Sequence, residues 1–482
     1  MGQDTFFLTG TDEHAAKIVD AAAERGIATQ DWADQNAEQF LQTFNRLQMS
    51  NDDFIRTSQD RHKTKVTQYV ERLLDTGDVY IGQYEGWYDA GQEEYIPENK
   101  AKEYEYKSPI NGKPLVRKQE DNYFFRLSAY SDKLLLLLDK GDEFDVQPVA
   151  RRNEVIARIR DGLNDVPISR TGAGQWGIPV PGDDTHMIYV WIDALFNYLS
   201  TIDTADRQKY WPADVHFIAK DILWFHAVIW PAMLMALDRP LPRLVYAHSF
   251  WISEGQKMSK SLGNFIDLEK IDHYVETFSL DALRYFLASS GPMGTTDADF
   301  AESKFIDVYN SDLANAFGNC FSRIANMTVK YFGGKVPVLG PHVDVSDQYT
   351  KSAEQCIARY TLAMDTYQLD KACQCAVELI GQIDGYIEST QPFKLAKDER
   401  NLPQVGTILY HCTEAIRIAS LMFWPFMPGK VEQLWHRIGC DEYINALADR
   451  GRGDLASWSV WGQLKPGTVI EKGESLFPRY QK

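Results

Sequence analysis

The chain has no cysteine before residue 320 and only six in 482 residues (Cys320, Cys356, Cys373, Cys375, Cys412 and Cys440). The pair Cys373-Gln374-Cys375 is too tight for the usual zinc spacing, so reduced and mostly buried thiols of a cytosolic protein are expected. No apolar run approaches the ~20 residues that a membrane-spanning helix needs, and Leu134 to Leu138 is only a helix face. The start, Met1-Gly2-Gln3-Asp4, has no basic region followed by an apolar stretch, which argues against a secretory signal. Basic residues are outnumbered, 50 Lys and Arg against 68 Asp and Glu, for a net charge of −18. Indiscriminate binding of nucleic acid, which draws its affinity from a broad basic surface, is therefore disfavoured. A specific RNA held by local basic patches is not. No internal repeat is evident.

The length is too great for one core and implies two to four domains. Hydrophobic content of 44% and charged content of 24% describe an ordinary globular chain. With 12 Trp, 24 Tyr and 24 Phe, long disordered tracts are not expected. Phe6-Phe7-Leu8-Thr9 reads as a buried strand, and Gly10 to His14 as the loop at its C-terminal end, where open α/β sheets bind ligands. Helices are expected over Ala15–Arg25, stopped by Gly26, and from about Asp31 to Leu47 and Arg61 to Thr76, the last stopped by Gly77. From Tyr80 to about Pro167 the texture changes: Tyr84 to Asp121 is polar, Tyr-rich and Gly/Pro-punctuated, as a small β-rich insertion would be, and helical segments are expected near Leu127–Asp139 and Asn153–Asp161. The α/β pattern resumes with strands at Ile188–Trp191 and Val215–Ala219, an apolar helix from Ile222 to Leu237, and a strand over Val245–Ile252. From Ser303 onward apolar residues recur at helical spacing.

Lys257-Met258-Ser259-Lys260-Ser261, followed by Leu262-Gly263-Asn264, carries the strongest chemical signal. Two lysines three apart on a Gly/Ser-rich loop suit a leaving pyrophosphate, because cations and hydroxyl donors can meet charge as it builds. A solvated basic loop is the plain alternative. Asp12 stands on a ligand-facing loop and can hold an ammonium, although Asp is also a favoured helix N-cap. Trp191, Leu195, Tyr198 and His226 can line an apolar, polarisable pocket suited to a thioether, although single Trp and His residues on apolar segments are usually core. Asn315, Asn319 and Arg323 recur every four residues and share one helix face, which is otherwise a solvated stripe.

Together these segments resemble the methionyl-tRNA synthetases, from about residue 3 to 479 and in that family's order. The lysine-rich loop resembles the mobile-loop signature of class I aminoacyl-tRNA synthetases. Trp191 to Tyr198 resembles the methionine-pocket segment, and Ala219-Lys220-Asp221-Ile222-Leu223-Trp224-Phe225-His226 its adjoining helix. Further matches are Leu8 to His14, Ile168-Ser169-Arg170, Trp176 to Gly182 and Leu476-Phe477-Pro478-Arg479. The resemblance implies an α/β Rossmann-type catalytic domain with a β-rich insertion, followed by an all-α anticodon-binding bundle. It implies activation of methionine with ATP and Mg²⁺ to methionyl-adenylate, then transfer to the terminal ribose of methionine tRNA. Asp12 would hold the amino group. Trp191, Ala194, Leu195, Tyr198, Ile222 and His226 would shape the pocket. Arg170 would stand near the reacting carboxylate and phosphate, and Lys257, Met258, Ser259, Lys260 and Ser261 would serve ATP. Asn315, Asn319, Arg323 and Phe393 would read the anticodon, with Phe393 standing where the family usually has Trp.

The implied division is 1–80 and 168–246 for the catalytic domain, 81–167 for the insertion and 247–302 for a stem-contact region. A helical domain over 303–465 and a tail over 466–482 complete it. A cytoplasmic monomer without membrane association is expected. Two departures from the family stand out. Its His-Ile-Gly-His type motif would precede Gly2, so the chain is expected to be an N-terminal truncation with little activity alone; a non-catalytic tRNA-binding or regulatory relative is the alternative. The four zinc thiolates of many relatives are replaced by Asp89, Gln92, Ser108 and Asn111, so no zinc is expected.

Overall fold

The computed structural model describes residues 4–89, 94–96, 98–109, 112–171, 176–258, 263–340, 346–448 and 455–481. It divides into two compact units, Thr5–His248 and Ser249–Lys482, the latter taking in Asp4.

The unit Thr5–His248 opens with strand β1 (Leu8–Thr11), helix α1 (Ala16–Arg25), helix α2 (Thr29–Arg46), strand β2 (Asp53–Arg56) and helix α3 (Asp60–Asp75). Gly26 ends α1 in the left-handed region (φ 67°), a conformation that costs a residue without Cβ nothing. β1 pairs in parallel with β2 from Leu8↔Asp53 to Thr11↔Arg56. At Gly10 the strands approach so closely that a Cβ would lie 1.9 Å from the Ile55 carbonyl oxygen. The insertion is an antiparallel sheet. β3 (Val79–Asp89) pairs β4 (Glu94–Ile96) on one side and β5 (Val116–Phe125) on the other, and α4 (Glu98–Glu103) packs against it. Next come α5 (Ser131–Lys140), β6 (Asp145–Gln147), α6 (Val149–Arg160), the short strands β7 (Val166–Pro167), β8 (Ser169–Thr171) and β9 (Pro179–Val180), and β10 (Asp183–Ile188). α7 (Val190–Leu195), α8 (Asn197–Ile202), β11 (His216–Ala219), α9 (Trp230–Ala236) and β12 (Leu244–His248) complete the unit. A second parallel sheet has the order β11-β12-β6. Its core joins Leu73, Phe125, Phe144, Val146, Phe196, Ile218, Trp230 and Val245, all below 5% exposure, through α3, α5, α6 and α9.

The second unit begins with β13 (Trp251–Ser253), which pairs antiparallel with β14 (Gln256–Lys257) across a turn at Glu254 and Gly255. α10 (Leu268–Phe278), α11 (Leu280–Ser289), β15 (Ala298–Asp299) and α12 (Glu302–Val308) follow, and then a π-helical stretch, Tyr309–Gly318. The bundle is α13 (Asn319–Phe332), α14 (Ser346–Asp365), α15 (Leu369–Thr390), the short α16 (Pro392–Leu395), α17 (Leu402–Phe423), α18 (Pro428–Arg437) and α19 (Asp441–Ala448). α17 is buried from Val405 to Phe423, so it is the central helix on which the others pack. The tail docks by Leu476 and Phe477, each 1% exposed, with the Tyr309 hydroxyl donating to the Pro478 carbonyl at 2.8 Å.

Three expectations are corrected. The strand expected at Phe6–Thr9 is Leu8–Thr11 and is not buried; Phe7 is 45% exposed. Among the described residues its only ladder is with β2, so one long side has no strand against it. The strand expected at Ile188–Trp191 ends at Ile188, and Val190 and Trp191 open a helix, because a short apolar run has no period that separates strand from helix. The single strand expected over Val245–Ile252 is two, β12 and β13, in different sheets and different units.

Candidate active site

The loop after β1 carries Asp12, Glu13 and His14. Five contacts fix it. Glu13 receives a bidentate contact from Arg56 (2.7 and 3.1 Å) and a hydrogen bond from the Thr11 hydroxyl (2.8 Å). Its N–H donates to the Thr57 hydroxyl oxygen (2.9 Å), and its carbonyl accepts from the Trp176 indole (2.7 Å). His14 Nδ1 donates to Asp193 Oδ2 at 2.7 Å. Glu13 and His14 are buried, whereas Asp12, just before them, keeps an exposed surface although protein crowds its carboxyl. Surrounding protein, then the Asp193 and Glu13 charges, push the Asp12 carboxyl up to about 6, against the lowering effect of His14.

The pocket segment is the pair α7–α8. Ala194 and Leu195 are buried, Leu195 within the unit's main core, while Trp191 and Tyr198 are half-buried. Trp191 stacks on Phe225 at 5.0 Å between centroids. Facing them, a π-turn (Phe225–Ile229) holds His226, with Ile222 half-buried one turn earlier. His226 Nδ1 lies 3.0 Å from the Ile222 carbonyl, which can only accept, so Nδ1 carries the proton. Burial pushes His226 down to about 4, so the ring is neutral at neutral pH and Nε2 is an acceptor. The Tyr198 hydroxyl, 2.8 Å away, therefore donates to it. Burial and then the Asp12 charge push the Tyr198 phenol well up, which places the carboxylate and the phenol in one electrostatic neighbourhood. His216, pushed by burial down to about 3, stacks on Tyr198 at 4.0 Å. The result is an uncharged, aromatic and polarisable wall beside the Asp12 carboxylate. That arrangement can take a side chain without charge and an ammonium together.

Arg170, on β8, is half-buried with its guanidinium 4.4 Å over the Tyr189 ring. A cavity of about 410 Å³ between Lys63, Thr64, Thr67 and Gln68 of α3 and Ile178-Pro179 is lined by none of these pocket residues.

In the second unit Lys257 is exposed on β14 and Met258 half-buried, while Ser259, Lys260 and Ser261 lie outside the described residues. The Asn264 amide donates to the Lys257 and Ser253 carbonyls at 3.2 Å each, fastening the far end of that loop to its hairpin. Asn315, in the π-helical stretch, and Asn319, opening α13, are exposed. Arg323 is half-buried and engaged by Asp384 (2.9 Å) and Glu388 (2.5 Å) of α15. Phe393 is 38% exposed on α16, five residues beyond Glu388. Of the four lost thiolate positions, Asp89 and Ser108 are buried, and Gln92 and Asn111 lie outside the described residues. Near them Trp87 and Tyr106 pack at 4.6 Å, and both donate to Glu98 (2.6 and 3.2 Å). A small apolar cluster of Ile96, Ala101 and Leu115 lies beneath.

Sequence reasoning missed Glu13, His14, Arg56, Trp176, Asp193 and His216 as site-building residues. Glu13, His14 and Asp193 stood inside recognised segments, but nothing local to them shows that 179 positions close to a 2.7 Å contact.

The family model of class I tRNA synthetases of the methionine type matches residues 1–104 and 101–325, and that of the anticodon-binding domain of tRNA ligases matches 349–455. The methionine–tRNA ligase of Listeria monocytogenes is 40% identical over 499 residues, covering 99% of this chain and 72% of that protein. That of Bacillus subtilis is 38% identical, covering 100% and 73%. Methionyl-tRNA synthetase of Mycobacterium tuberculosis in complex with methionyl-adenylate superposes with a TM-score of 0.87 at 35% identity, covering 99% of this chain and 92% of that one. Its apo form gives 0.82 at 31% identity. These comparisons lend no support to the expectation of an inactive chain. The chain belongs to the methionyl-tRNA synthetase family of class I aminoacyl-tRNA synthetases.

Proposed function

We propose that this chain is a methionine–tRNA ligase that makes methionyl-adenylate and charges methionine tRNA. Its likeness to proteins of that name over 99–100% of its length carries the reading. The methionine carboxylate attacks the α-phosphorus of ATP, the bond to the β-phosphate breaks and pyrophosphate leaves. A hydroxyl of the terminal ribose of the tRNA then attacks the activated carbonyl and AMP leaves. The protein positions the reactants and stabilises developing charge, with no covalent enzyme intermediate. Asp12 binds the ammonium. Trp191, Ala194, Leu195, Tyr198, Ile222 and His226 receive the thioether. Arg170 steadies carboxylate and phosphate, and the Lys257–Ser261 loop, through Lys257 and Lys260, meets the leaving pyrophosphate.

Among the described residues no cluster of His, Cys, Asp or Glu can cage a metal. Mg²⁺ would enter on the oxygens of ATP. The insertion is held by Trp87, Tyr106 and Glu98 in place of zinc. Asn315, Asn319, Arg323 and Phe393 meet the anticodon, with Arg323 exchanging a carboxylate for a base edge. The six-part division of the sequence, a monomeric state and a cytoplasmic location belong to the same reading. Methionine-dependent exchange of pyrophosphate into ATP, together with charging of methionine tRNA, tests it. Binding of tRNA without either reaction would instead make the chain a non-catalytic relative.

A further inference from the structure

The amino acid must be held at two points, its ammonium by Asp12 and its side chain by α7 and α8. These points lie on segments about 180 residues apart in the sequence, and one hydrogen bond joins them: His14 Nδ1, two residues after Asp12, to Asp193 Oδ2, two residues after Trp191 and one before Ala194. Both side chains are at most 1% exposed, so neither serves solvation or meets solvent-borne ligand. The pair has support on both sides. The Trp176 ring packs edge-on against His14 at 5.7 Å while its indole holds the Glu13 carbonyl. On the other side His62 lies 3.6 Å from Asp193 Oδ1, its own Nδ1 2.9 Å from the Ser200 hydroxyl on α8. A buried carboxylate is costly to keep, and an apolar pair of the same shape would stabilise the fold at least as well. At the junction of two binding segments the pair has a geometric use: a short, charge-assisted and directional bond sets a distance that apolar packing leaves soft.

We propose that Asp193, acting through His14, is a positioning residue that sets the distance between the ammonium-binding carboxylate of Asp12 and the thioether pocket. This rests on the reading of Asp12 given above. Substrates are thereby measured from amino group to side chain. The pair touches neither.

Equilibrium binding of methionine and of γ-methylthiobutyrate (methionine without its amino group) tests the proposal on the full chain. His14→Phe keeps a ring against Trp176 and removes the donor. It should weaken methionine about tenfold, the scale of one charge-assisted hydrogen bond, and leave the desamino compound within about twofold. His14→Asn, whose amide can stand where Nδ1 stood, should restore methionine binding. If the lone Asp193 charge unfolds His14→Phe, pairing it with Asp193→Asn removes that charge and keeps the measurement possible. Equal weakening of both ligands would make the pair merely structural and overturn the proposal, as would no change in either. The outcomes separate by adding Asp12→Ala. If that variant binds methionine normally, the role of Asp12 falls and the proposal with it. If it binds weakly and His14→Phe weakens it a further tenfold, the role of Asp12 stands and the positioning claim alone is lost.

Discussion

At the scale of single residues the site is governed by what nearby protein and nearby charges do to titratable groups. Asp12 has its carboxyl pushed up to about 6 from an ordinary 3.8. An arriving ammonium favours the ionised form, so methionine should bind at full strength above about pH 6 and lose close to tenfold per unit below it. Dissociation constants measured from pH 5 to 8 check this, and Asp12→Asn should bind weakly with no such slope. For folding the sign is opposite. A carboxyl raised in the folded state opposes folding once ionised, so its penalty is absent below 3.8 and complete above about 6. Tyr198 and His226 show the same logic in neutral form. Replacing Tyr198 with Phe takes the donor from His226 Nε2 and should cost about 1–3 kcal/mol in stability. It should weaken methionine binding and leave ATP binding unchanged. A variant with unaltered methionine affinity would remove Tyr198 from the pocket. Asp12, Tyr198 and His226 could be proposed from the sequence because they stand in contiguous motifs, and the structure brings Tyr198 to His226. The His14–Asp193 bond was not, because it is a fact of chain return.

Elements are decided by pairing and by polar satisfaction. In the bundle, Glu414 and Arg417 on α17 are buried at 0% and 1% exposure and bond to each other at 2.6 Å. Arg417 also donates to the Tyr443 hydroxyl and the Trp458 and Val460 carbonyls, and Glu414 accepts from the N–H groups of Gly462, Gln463 and Leu464. The pair thus ties an otherwise irregular stretch to the central helix. Arg417→Met alone leaves a buried carboxylate without its counter-charge and should cost ~3–5 kcal/mol in thermal or denaturant unfolding. A single variant as stable as the parent would contradict that account. In the insertion, Trp87 and Tyr106 pack together and both donate to Glu98, and the buried Asp89 and Ser108 supply neither thiolate nor imidazole. Chelator-washed protein should therefore carry no stoichiometric zinc by elemental analysis, and about one zinc per chain would refute this. The sequence showed α1 and α3 well because each ends at a glycine stop, Gly26 and Gly77. It misplaced Ile188–Trp191 and merged β12 with β13, because short apolar runs carry neither a period nor a stop.

At the scale of the molecule a chain of net charge −18 that charges a polyanion must confine its contacts to particular places. Phe393 is proposed as one such place. It is 38% exposed on a four-residue helix, which fits a stacking platform better than a core residue. Stacking contributes roughly 1–3 kcal/mol per base. Phe393→Ala should therefore reduce charging of methionine tRNA about tenfold or more, with little change in melting temperature and intact adenylate formation. Phe393→Trp should restore or improve charging. A destabilised Ala variant beside a damaged Trp variant would end the stacking reading. By itself the sequence determined the family and the α/β-then-helical order. These are properties of residue type and local order, and short contiguous motifs preserve them. The tertiary structure alone decided that β1 and β2 form a sheet separate from β11, β12 and β6, that β12 and β13 part company between two units, and that His14 meets Asp193. It also decided that Arg323 spends its charge on Asp384 and Glu388. Each of these depends on which segments return to one another. Closure entropy grows only slowly with the length of the intervening chain, so sequence separation does not mark the partner.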